Sequence, residues 1–454
     1  MQTANTADGK SGPRLRRALT LWDLILYGVI VIQPTAPMSI FGVLAKRGQG
    51  HVATTILIAM VAMLFTAISY GRMARAYPSA GSAFTYVGQE INPALGYITG
   101  WSMVMDYMLN PMICAIWISQ QARVFVPSVP YWLWAILVTA IFTGLNVLGI
   151  KASARINTGL AVGMGVVIAI FFAAASKFVF HLPHGADFWT RPFYDPATFN
   201  LPTVLGGTSI AVLTYIGFDG ISTLSEEVEN PRRNILLATV LTCVAIGILS
   251  AMEVYAAQLI NPNPDLSTET LLDTAFVNVA AQAWAPLLMI VGLTLVVANF
   301  GSGMGAMLGA ARLLFGMGRS SALPKSFFGA LDPKTRVPRN NVLFVGGLTL
   351  IGAFAMSYEL GAQMVNFGAL IAFMGVNLAA FVRYFLRAEK KTLGNGLPPL
   401  LGFLICLLLW LNLSHPALIA GSIWMAAGIA FGAWKTRGFR AELVNFDIPS
   451  EDEV

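Results

Sequence analysis

Long apolar segments recur along almost the whole chain and are separated by short polar or charged stretches. Each runs for about 20 residues, which at 1.5 Å per residue matches the roughly 30 Å hydrocarbon core of a bilayer. A membrane-spanning strand needs only about 10 residues, so the segments predict membrane helices and not barrel strands. Twelve spans are predicted, at residues 22–44, 52–71, 94–120, 129–149, 155–178, 203–226, 235–258, 283–314, 340–358, 361–385, 397–414 and 416–435.

The composition agrees with this pattern. Hydrophobic residues make up 56% of the 454 residues, charged residues make up 11%, and the mean hydropathy is +0.69. Soluble domains carry about 25% charged residues. The chain is therefore predicted to be an all-α membrane protein that crosses the lipid bilayer several times.

Basic residues are distributed unevenly between the two sides of the predicted membrane. Of the 28 Lys and Arg residues, 23 fall on the side of the N-terminus and five fall on the other side. Such an excess is typical of the cytoplasmic side. We therefore expect cytoplasmic tails at residues 1–20 and 437–454. The net charge of +6 follows from this distribution and requires no nucleic-acid partner.

Two predicted spans are interrupted near their middles. Segment 32–38 of the first span reads Ile-Gln-Pro-Thr-Ala-Pro-Met, and its two prolines remove backbone donors. In the sixth span, Gly217 and Gly220 flank Asp219 and weaken the helix. Irregular backbone at this depth survives only where it is buried in protein or lines a watery cavity. Breaks five spans apart are typical of inverted repeats that bind substrate between them, although the second break also fits a packing kink with a structural Asp.

Two acids fall near the middle of spans. Asp219 lies in the second break, and Asp106 lies about 12 residues, or roughly 18 Å, into the third span. No Lys, Arg or His lies in the middle of a span, so both carboxylates need a proton, a metal cation or a cationic substrate. A hydrogen-bonded structural acid is the alternative for Asp106. Glu253 lies nearer a span end and is expected to be solvated or interfacial.

The remaining polar residues indicate no enzyme. Gly301, Gly305 and Gly309 repeat every four residues in the eighth span, which favours close helix packing. Asn299 and Ser302 are candidates to face a cavity there. The sequence has no catalytic triad, zinc motif or phosphate loop, and its four histidines lie in loops or at span ends. No metal site, disulfide framework or organic cofactor is therefore expected.

Several motifs in a fixed order carry a family resemblance. They comprise segment 67–72 (Ala-Ile-Ser-Tyr-Gly-Arg), segment 78–86 with 100–101, segment 215–219 with 226–227 and 230–234, and segment 311–319 with 323–324. Over residues 17–435 the chain resembles the amino acid–polyamine–organocation (APC) superfamily. The resemblance implies a twelve-helix transporter with a five-plus-five inverted-repeat (LeuT-like) core at residues 21–390. In that fold helices 1 and 6 are discontinuous, and helices 11 and 12, at residues 395–436, lie outside the core.

Within the superfamily the chain is most similar to bacterial putrescine importers, through segments 106–112, 224–227 and 366–370. Amino acid carriers of this superfamily usually bind the substrate carboxylate with a Gly-rich first break. Here Pro34 and Pro37 supply no N–H groups, which favours an amine without a carboxylate. Met164 stands where some proton-coupled relatives place a Lys in a sodium site. Both a proton and sodium therefore remain candidate coupling ions.

These observations predict an importer of a small organic cation, putrescine or a related polyamine, in the bacterial cytoplasmic membrane. Asp106 and Asp219 are expected to bind or balance ammonium groups. Tyr215 and Phe218 are expected to offer aromatic surface to the cation and its methylene chain. The other candidate substrate-binding residues are Gln33, Thr35, Tyr107, Gly217 and Asn299.

Proton coupling is the expected drive, because buried acids without a basic partner exchange protons near neutral pH. Asp106 is the first candidate carrier, followed by Glu226 and Glu227 at the cytoplasmic gate. Two other function classes remain open. One is an amino acid permease in which Asp219 helps to hold the broken helix, and the other is a transporter-like nutrient sensor that binds its ligand without moving it. The sequence carries no signal for an oligomeric state.

Overall fold

The computed structural model describes residues 19–77, 82–149, 154–224, 228–319, 323–333, 335 and 337–439. Within these ranges the regular structure is helical and no strand forms, apart from an isolated bridge between Leu19 and Val228. The all-helical class predicted from the sequence is therefore confirmed.

The helices follow the apolar segments closely. They are α1 (Leu21–Ile32), α2 (Ala36–Gly48), α3 (Val52–Ala76), α4 (Ser82–Glu90), α5 (Pro93–Phe125), α6 (Tyr131–Val147), α7 (Ala154–Val179), α8 (Leu201–Ala211), α9 (Pro231–Ile260), α10 (Glu269–Asp273), α11 (Ala275–Ala283), α12 (Leu287–Arg319), α13 (Lys325–Phe328), α14 (Arg339–Ala355), α15 (Tyr358–Phe381), α16 (Leu393–Leu411) and α17 (His415–Lys435). Two 3₁₀ segments follow α8, at Val212–Tyr215 and Phe218–Leu224, and a π-helical turn, Val382–Leu386, extends α15.

Several helices are long and apolar enough to cross a membrane. In the described part of the chain eight qualify by length and hydropathy, and the bent pair α1–α2 makes a ninth. The eight are α3, α7, α8 with its 3₁₀ extension, α9, α12, α15, α16 and α17. Helices α5, α6 and α14 coincide with the remaining predicted spans, but α6 and α14 have only 17 residues each. A protein with multiple membrane spans is confirmed, and the number twelve stays a prediction.

Contacts between helix ends define two faces of the molecule. On one, which we call the termini face, the bridge Leu19–Val228 joins the start of α1 to the start of α9, and Arg72 near the end of α3 donates to Gly394 at the start of α16. On the opposite face, Gln258 near the end of α9 donates to Gly50 between α2 and α3. The chain thus alternates between the faces.

The first break lies where the two prolines predict it. Helix α1 ends at Ile32, α2 begins at Ala36, and the two helix axes are bent by 46°. Gln33 between them adopts a positive φ of 64°, which directs the chain out of the helix. Pro34 lacks the N–H that would continue the hydrogen-bond ladder.

The second break also lies in the predicted segment. Helix α8 tightens into a 3₁₀ turn at Val212 and stops at Tyr215. Gly217 has a φ of 117°, a conformation that L side chains rarely adopt, and a new 3₁₀ segment begins at Phe218. The described residues therefore contain both discontinuities.

The predicted packing of three glycines holds only at Gly309, and the expected exposure of Glu253 is wrong. In α12 the closely packed glycines are Gly303, whose added Cβ would lie 2.5 Å from the Phe142 ring, and Gly309; Gly301 and Gly305 have open space beside them. Glu253 is fully buried instead of solvated. The reason is that α9 continues for about two turns beyond Glu253, to Ile260, and packs against α3, α1, α7, α2 and α11.

Candidate functional site

The two helix breaks lie against each other. A Cβ atom on Gly217 would lie 3.0 Å from Cγ1 of Val31 and 3.5 Å from the backbone nitrogen of Ile32, at the end of α1. One on Gly220 would lie 3.7 Å from the Tyr27 hydroxyl. Glycine is therefore needed at position 217 both for its positive φ and for this close approach.

Asp219 lies at the start of the 3₁₀ segment that follows the second break. The N–H of Gly217 donates to Asp219 Oδ1 over 3.2 Å, and the backbone N–H of Gly220 also faces this carboxylate. The Ser222 hydroxyl donates to the Asp219 carbonyl oxygen over 2.6 Å. The unwound backbone thus fixes the carboxyl group, and Asp219 keeps some accessible surface.

Asp106 in α5 lies close enough to Asp219 for the two carboxylates to repel each other. Tyr107 interacts electrostatically with both acids, and its ring would lie 3.0 Å from a Cβ on Gly309 of α12. Among the described residues, no Lys or Arg forms an ion pair with either acid. The structure therefore brings together Asp106, Tyr107, Gly217 and Asp219.

The first break is anchored to α12 and α7 by side-chain contacts. Gln33 donates from Nε2 to the carbonyl oxygen of Ala298 over 2.8 Å. The neighbouring Asn299 donates to the hydroxyl of Ser39 in α2 over 3.1 Å. Thr35, which is buried, lies with its hydroxyl 3.6 Å from the sulfur of Met164. The predicted residues Gln33, Thr35 and Asn299 thus surround the first break.

The two predicted aromatic residues are fully buried. The Tyr215 hydroxyl donates to the carbonyl oxygen of Ile56 in α3 over 2.8 Å. The Phe218 ring centroid lies 5.6 Å from that of Tyr70 and 5.3 Å from that of Phe373. In this conformation both support the walls of the second break, and a direct contact with substrate stays a prediction for them.

Three features lie outside the set of site residues predicted from the sequence. Tyr70 in α3 is buried, has no hydrogen-bond partner for its hydroxyl among the described residues, and interacts electrostatically with Asp219. Asn110, one turn after Asp106, accepts hydrogen bonds from Cys114 over 3.2 Å and from Ser302 over 3.4 Å. The spacing of four from Asp106 was the signal for Asn110, whereas nothing in the sequence pairs Tyr70 with the break.

The third missed feature is a pair of ion-pair clusters at opposite ends of α15. On the opposite face, Glu359 pairs with Lys46 over 3.2 Å and with Arg47 of α2. On the termini face, Glu90 of α4 pairs with Arg383 over 2.6 Å and with Arg387 over 3.0 Å. Long-range charge pairing of this kind leaves no local sequence pattern.

Some predictions cannot be placed in this site. Glu226 and Glu227 lie outside the described residues. No group of three or more His, Cys, Asp or Glu side chains in the described ranges is arranged to hold a metal ion. A surface pocket of about 520 Å³ lies away from both breaks, lined by Arg123, Pro127 and residues 268–271. The chemistry available at the breaks is therefore that of two carboxylates with amide and hydroxyl groups around them.

Comparison with known proteins identifies the family. The sequence profile described as amino acid permease matches residues 34–445. The chain belongs to the amino acid permease family of the APC superfamily. This family consists of transporters, and the resemblance to the superfamily drawn from the motifs is confirmed.

The chain is similar to several characterised transporters. The chain is 35% identical to the low-affinity putrescine importer PlaP of Escherichia coli K12, over 98% of this chain and 99% of the relative. It is 26% identical to the branched-chain amino acid permease BcaP of Bacillus subtilis, over 91% and 92% of the two chains. It is 28% identical to the vacuolar cationic amino acid transporter 4 of Arabidopsis thaliana, over 85% and 66%.

Proposed function

We propose that this protein is a secondary active transporter that imports a small organic cation, putrescine or a related polyamine. One observation supports the proposal: Asp219 is near enough to Asp106 to act on it electrostatically, so the two repel each other when both are ionised, and no described Lys or Arg forms an ion pair with either of them. A dication with two separated ammonium groups removes that repulsion and supplies a donor to each carboxylate.

The free energies involved are large enough to select substrates. A hydrogen bond between an ammonium and a carboxylate contributes about 1.5–3 kcal/mol. An isolated carboxylate away from water costs more than a neutral polar group in the same place. A monoamine satisfies one of the two acids, and a zwitterion also brings a carboxylate of its own next to them. Diamines are therefore the expected high-affinity class.

The geometry of the first break supports an amine over an amino acid. The N–H of Ala36 donates to the Gln33 carbonyl over 3.0 Å, and the N–H of Met38 donates to the Thr35 carbonyl over 3.1 Å. Pro34 and Pro37 have no N–H group. Few amides of this segment are left to bind a substrate carboxylate.

An amino acid permease is the second candidate function. The relatives named as branched-chain and cationic amino acid carriers favour it, at 26% and 28% identity. In that case Asp219, already held by the Gly217 N–H, stabilises the unwound segment. The higher identity to the relative named as a putrescine importer, 35% over 98% of this chain, supports the first candidate.

The proposed architecture has twelve membrane helices. A ten-helix inverted-repeat core spans residues 21–390, and the two helices of residues 395–436 pack outside it. The termini face is the cytoplasmic face of a bacterial inner membrane, in agreement with the excess of Lys and Arg on that side. Proton coupling is proposed with Asp106 as the carrier, and sodium is the alternative coupling ion.

Binding to purified protein tests the substrate class. Putrescine, cadaverine, a monoamine and alanine are titrated against the protein in detergent. The expected order is diamines first, the monoamine at least tenfold weaker, and alanine weakest. Tight alanine binding without a response to diamines would overturn the proposal in favour of an amino acid permease.

Uptake into proteoliposomes tests transport and coupling. Labelled putrescine should accumulate under an imposed pH gradient, acid outside, in sodium-free buffer. Binding without accumulation would identify a sensor. Accumulation that needs sodium and ignores the pH gradient would replace the proton by sodium as the coupling ion.

A further inference from the structure

Helix α9 carries an acid that the proposed substrate site does not use. Glu253 has no solvent-accessible surface, and neither of its carboxyl oxygens has a hydrogen-bond partner among the described residues. Ser250, one turn earlier on α9, has a buried hydroxyl that is likewise without a partner. An ionised carboxylate in such surroundings is among the most costly groups to bury, so this arrangement requires a physical explanation.

Glu253 lies on the side of α9 that faces the first span. Thr242, eleven residues earlier, packs against α1, where a Cβ on Gly28 would lie 2.9 Å from Thr242 Cγ2. Eleven residues make three helical turns with an offset of about 20°, so Glu253 lies on the same face about 16 Å farther along. Helix α2, which continues the first span beyond its break, packs against α9 together with α7 and α11.

Within the described ranges, no charged group compensates Glu253 in this position. Lys46 and Arg47 on α2 are paired with Glu359, and no charged side chain of the described residues contributes to the electrostatic surroundings of Glu253. The described titratable groups on α9 and on the elements packed against it are Asp23, Tyr27, Lys46, Arg47, Tyr70, Arg72, Arg75, Lys177, Tyr215, Asp219, Arg232, Arg233, Cys243 and Tyr255.

We propose that Glu253 is a proton-binding site, which holds a proton while α2 covers α9 and releases it when α2 moves away. In the release step the carboxyl O–H bond breaks and the proton passes to water, which leaves a hydrated carboxylate; closure of α2 reverses the step. A metal ion is a poorer occupant, because Ser250 supplies the one other unsatisfied oxygen within a turn and the described residues hold no cluster of metal-binding side chains.

This inference deepens the proposed function and rests on it for one point, that α2 moves during a transport cycle. In that cycle each opening of the first span exposes Glu253 to water on the face that carries Glu359. One proton is then loaded or released for each opening. Glu253 acts as a coupling group in addition to Asp106 and is distinct from the acids that bind substrate.

Infrared difference spectroscopy on purified protein tests the protonation directly, without substrate. The variant Glu253→Gln replaces the acid by a neutral group of the same shape. At neutral pH the wild-type protein is expected to show an absorption band from protonated carboxyl groups. In Glu253→Gln the contribution of Glu253 to this band should be absent. Glu389→Gln, at an exposed position, is the matched control and should leave the band unchanged. A band of equal intensity in the wild type and in Glu253→Gln would overturn the proposal.

Transport measurements then separate coupling from a structural role. Glu253→Gln should keep putrescine counterflow, which needs no ion gradient, within twofold of the wild type. Its accumulation of putrescine under an imposed pH gradient should fall at least tenfold. Wild-type accumulation with a wild-type pH profile in this variant would overturn the coupling role. A wild-type protein that neither binds nor moves amines would refute the proposed function, and the infrared result would still decide the protonation of Glu253.

Discussion

The guanidinium of Arg47, at the end of α2, donates from Nε to Glu359 Oε1 at the start of α15 over 2.6 Å. This contact joins the second half of the first span to α15 on the face opposite the termini. Lys46 contacts the other carboxylate oxygen over 3.2 Å, so one acid holds two cations. The contact therefore ties the end of α2 to the start of α15.

Removing this contact should favour opening of α2. Lys46 and Arg47 are already half-exposed, so water can hydrate both cations at little cost when Glu359→Gln removes their partner. We expect a loss of about 1 kcal/mol from the closed state, or roughly a fivefold shift in population. Labelling of a cysteine introduced at Thr35 by a membrane-impermeant reagent should accelerate by that factor, since the native cysteines described are all buried.

The matched control breaks a pair on the same face within one loop. Arg191→Gln removes the ion pair with Asp195, which is four residues away in the chain. This pair does not join two helices. With Arg191→Gln, the cysteine introduced at Thr35 should be labelled at the same rate as in the protein that keeps Arg191. An equal acceleration in both variants would show that charge at the surface, and not closure of α2, controls access.

Gly217→Ala should damage the second break. The φ of 117° disfavours any Cβ, and that atom would lie 3.0 Å from Val31. Strain of about 1–3 kcal/mol is expected, with a lower melting temperature in detergent and weaker putrescine binding. Gly206→Ala in α8, where a Cβ meets nothing within 4 Å, should be neutral or slightly stabilising. Equal melting temperatures in both variants would contradict a strained break.

Asp219→Asn should weaken diamine binding and leave the fold intact. The amide keeps an acceptor for the Gly217 N–H but loses the charge that pairs with an ammonium group. A loss of about 1.5–3 kcal/mol corresponds to roughly a 10- to 150-fold rise in Kd. Asp187→Asn in an exposed loop is the control and should bind as the parent does. Unchanged uptake kinetics in Asp219→Asn would reduce this acid to a structural role.

The sequence predicted those parts of the fold that depend on local pattern. Prolines at 34 and 37 and glycines at 217 and 220 act on their own backbone, so both breaks appear where these residues stand. Burial was harder to predict. Glu253 was expected to meet solvent because it is close to the end of a predicted span, yet it is fully buried, since α9 continues to Ile260 and packs against several other helices.

The local sequence pattern could not predict which side chains contact each other across the fold. Tyr215 carries the aromatic surface expected beside a cation, but its hydroxyl is engaged by the backbone of α3 and its ring is buried. Glu359 and Glu90 gave no local signal, because their cationic partners are hundreds of residues away in the chain. The proximity of Asp106 and Asp219 likewise depends on how α5 packs beside the second break.

That proximity leads to a prediction that compares two substrates in two variants. If each carboxylate takes one ammonium group of a diamine, Asp106→Asn should raise the Kd for putrescine about tenfold or more. A monoamine of the same chain length has a single ammonium group, and Asp219, held in the break by the Gly217 N–H, is its expected partner.

Asp106→Asn should therefore leave the monoamine Kd within about twofold, whereas Asp219→Asn should weaken both ligands. Calorimetric titration of both ligands against the three proteins measures the full set. Removing Asp106 also removes a negative charge near Asp219, and if this indirect effect dominated it would weaken the binding of every cation, the monoamine included. A uniform loss for putrescine and the monoamine in Asp106→Asn would point to this indirect effect, and a loss confined to putrescine requires direct contact with the second ammonium group.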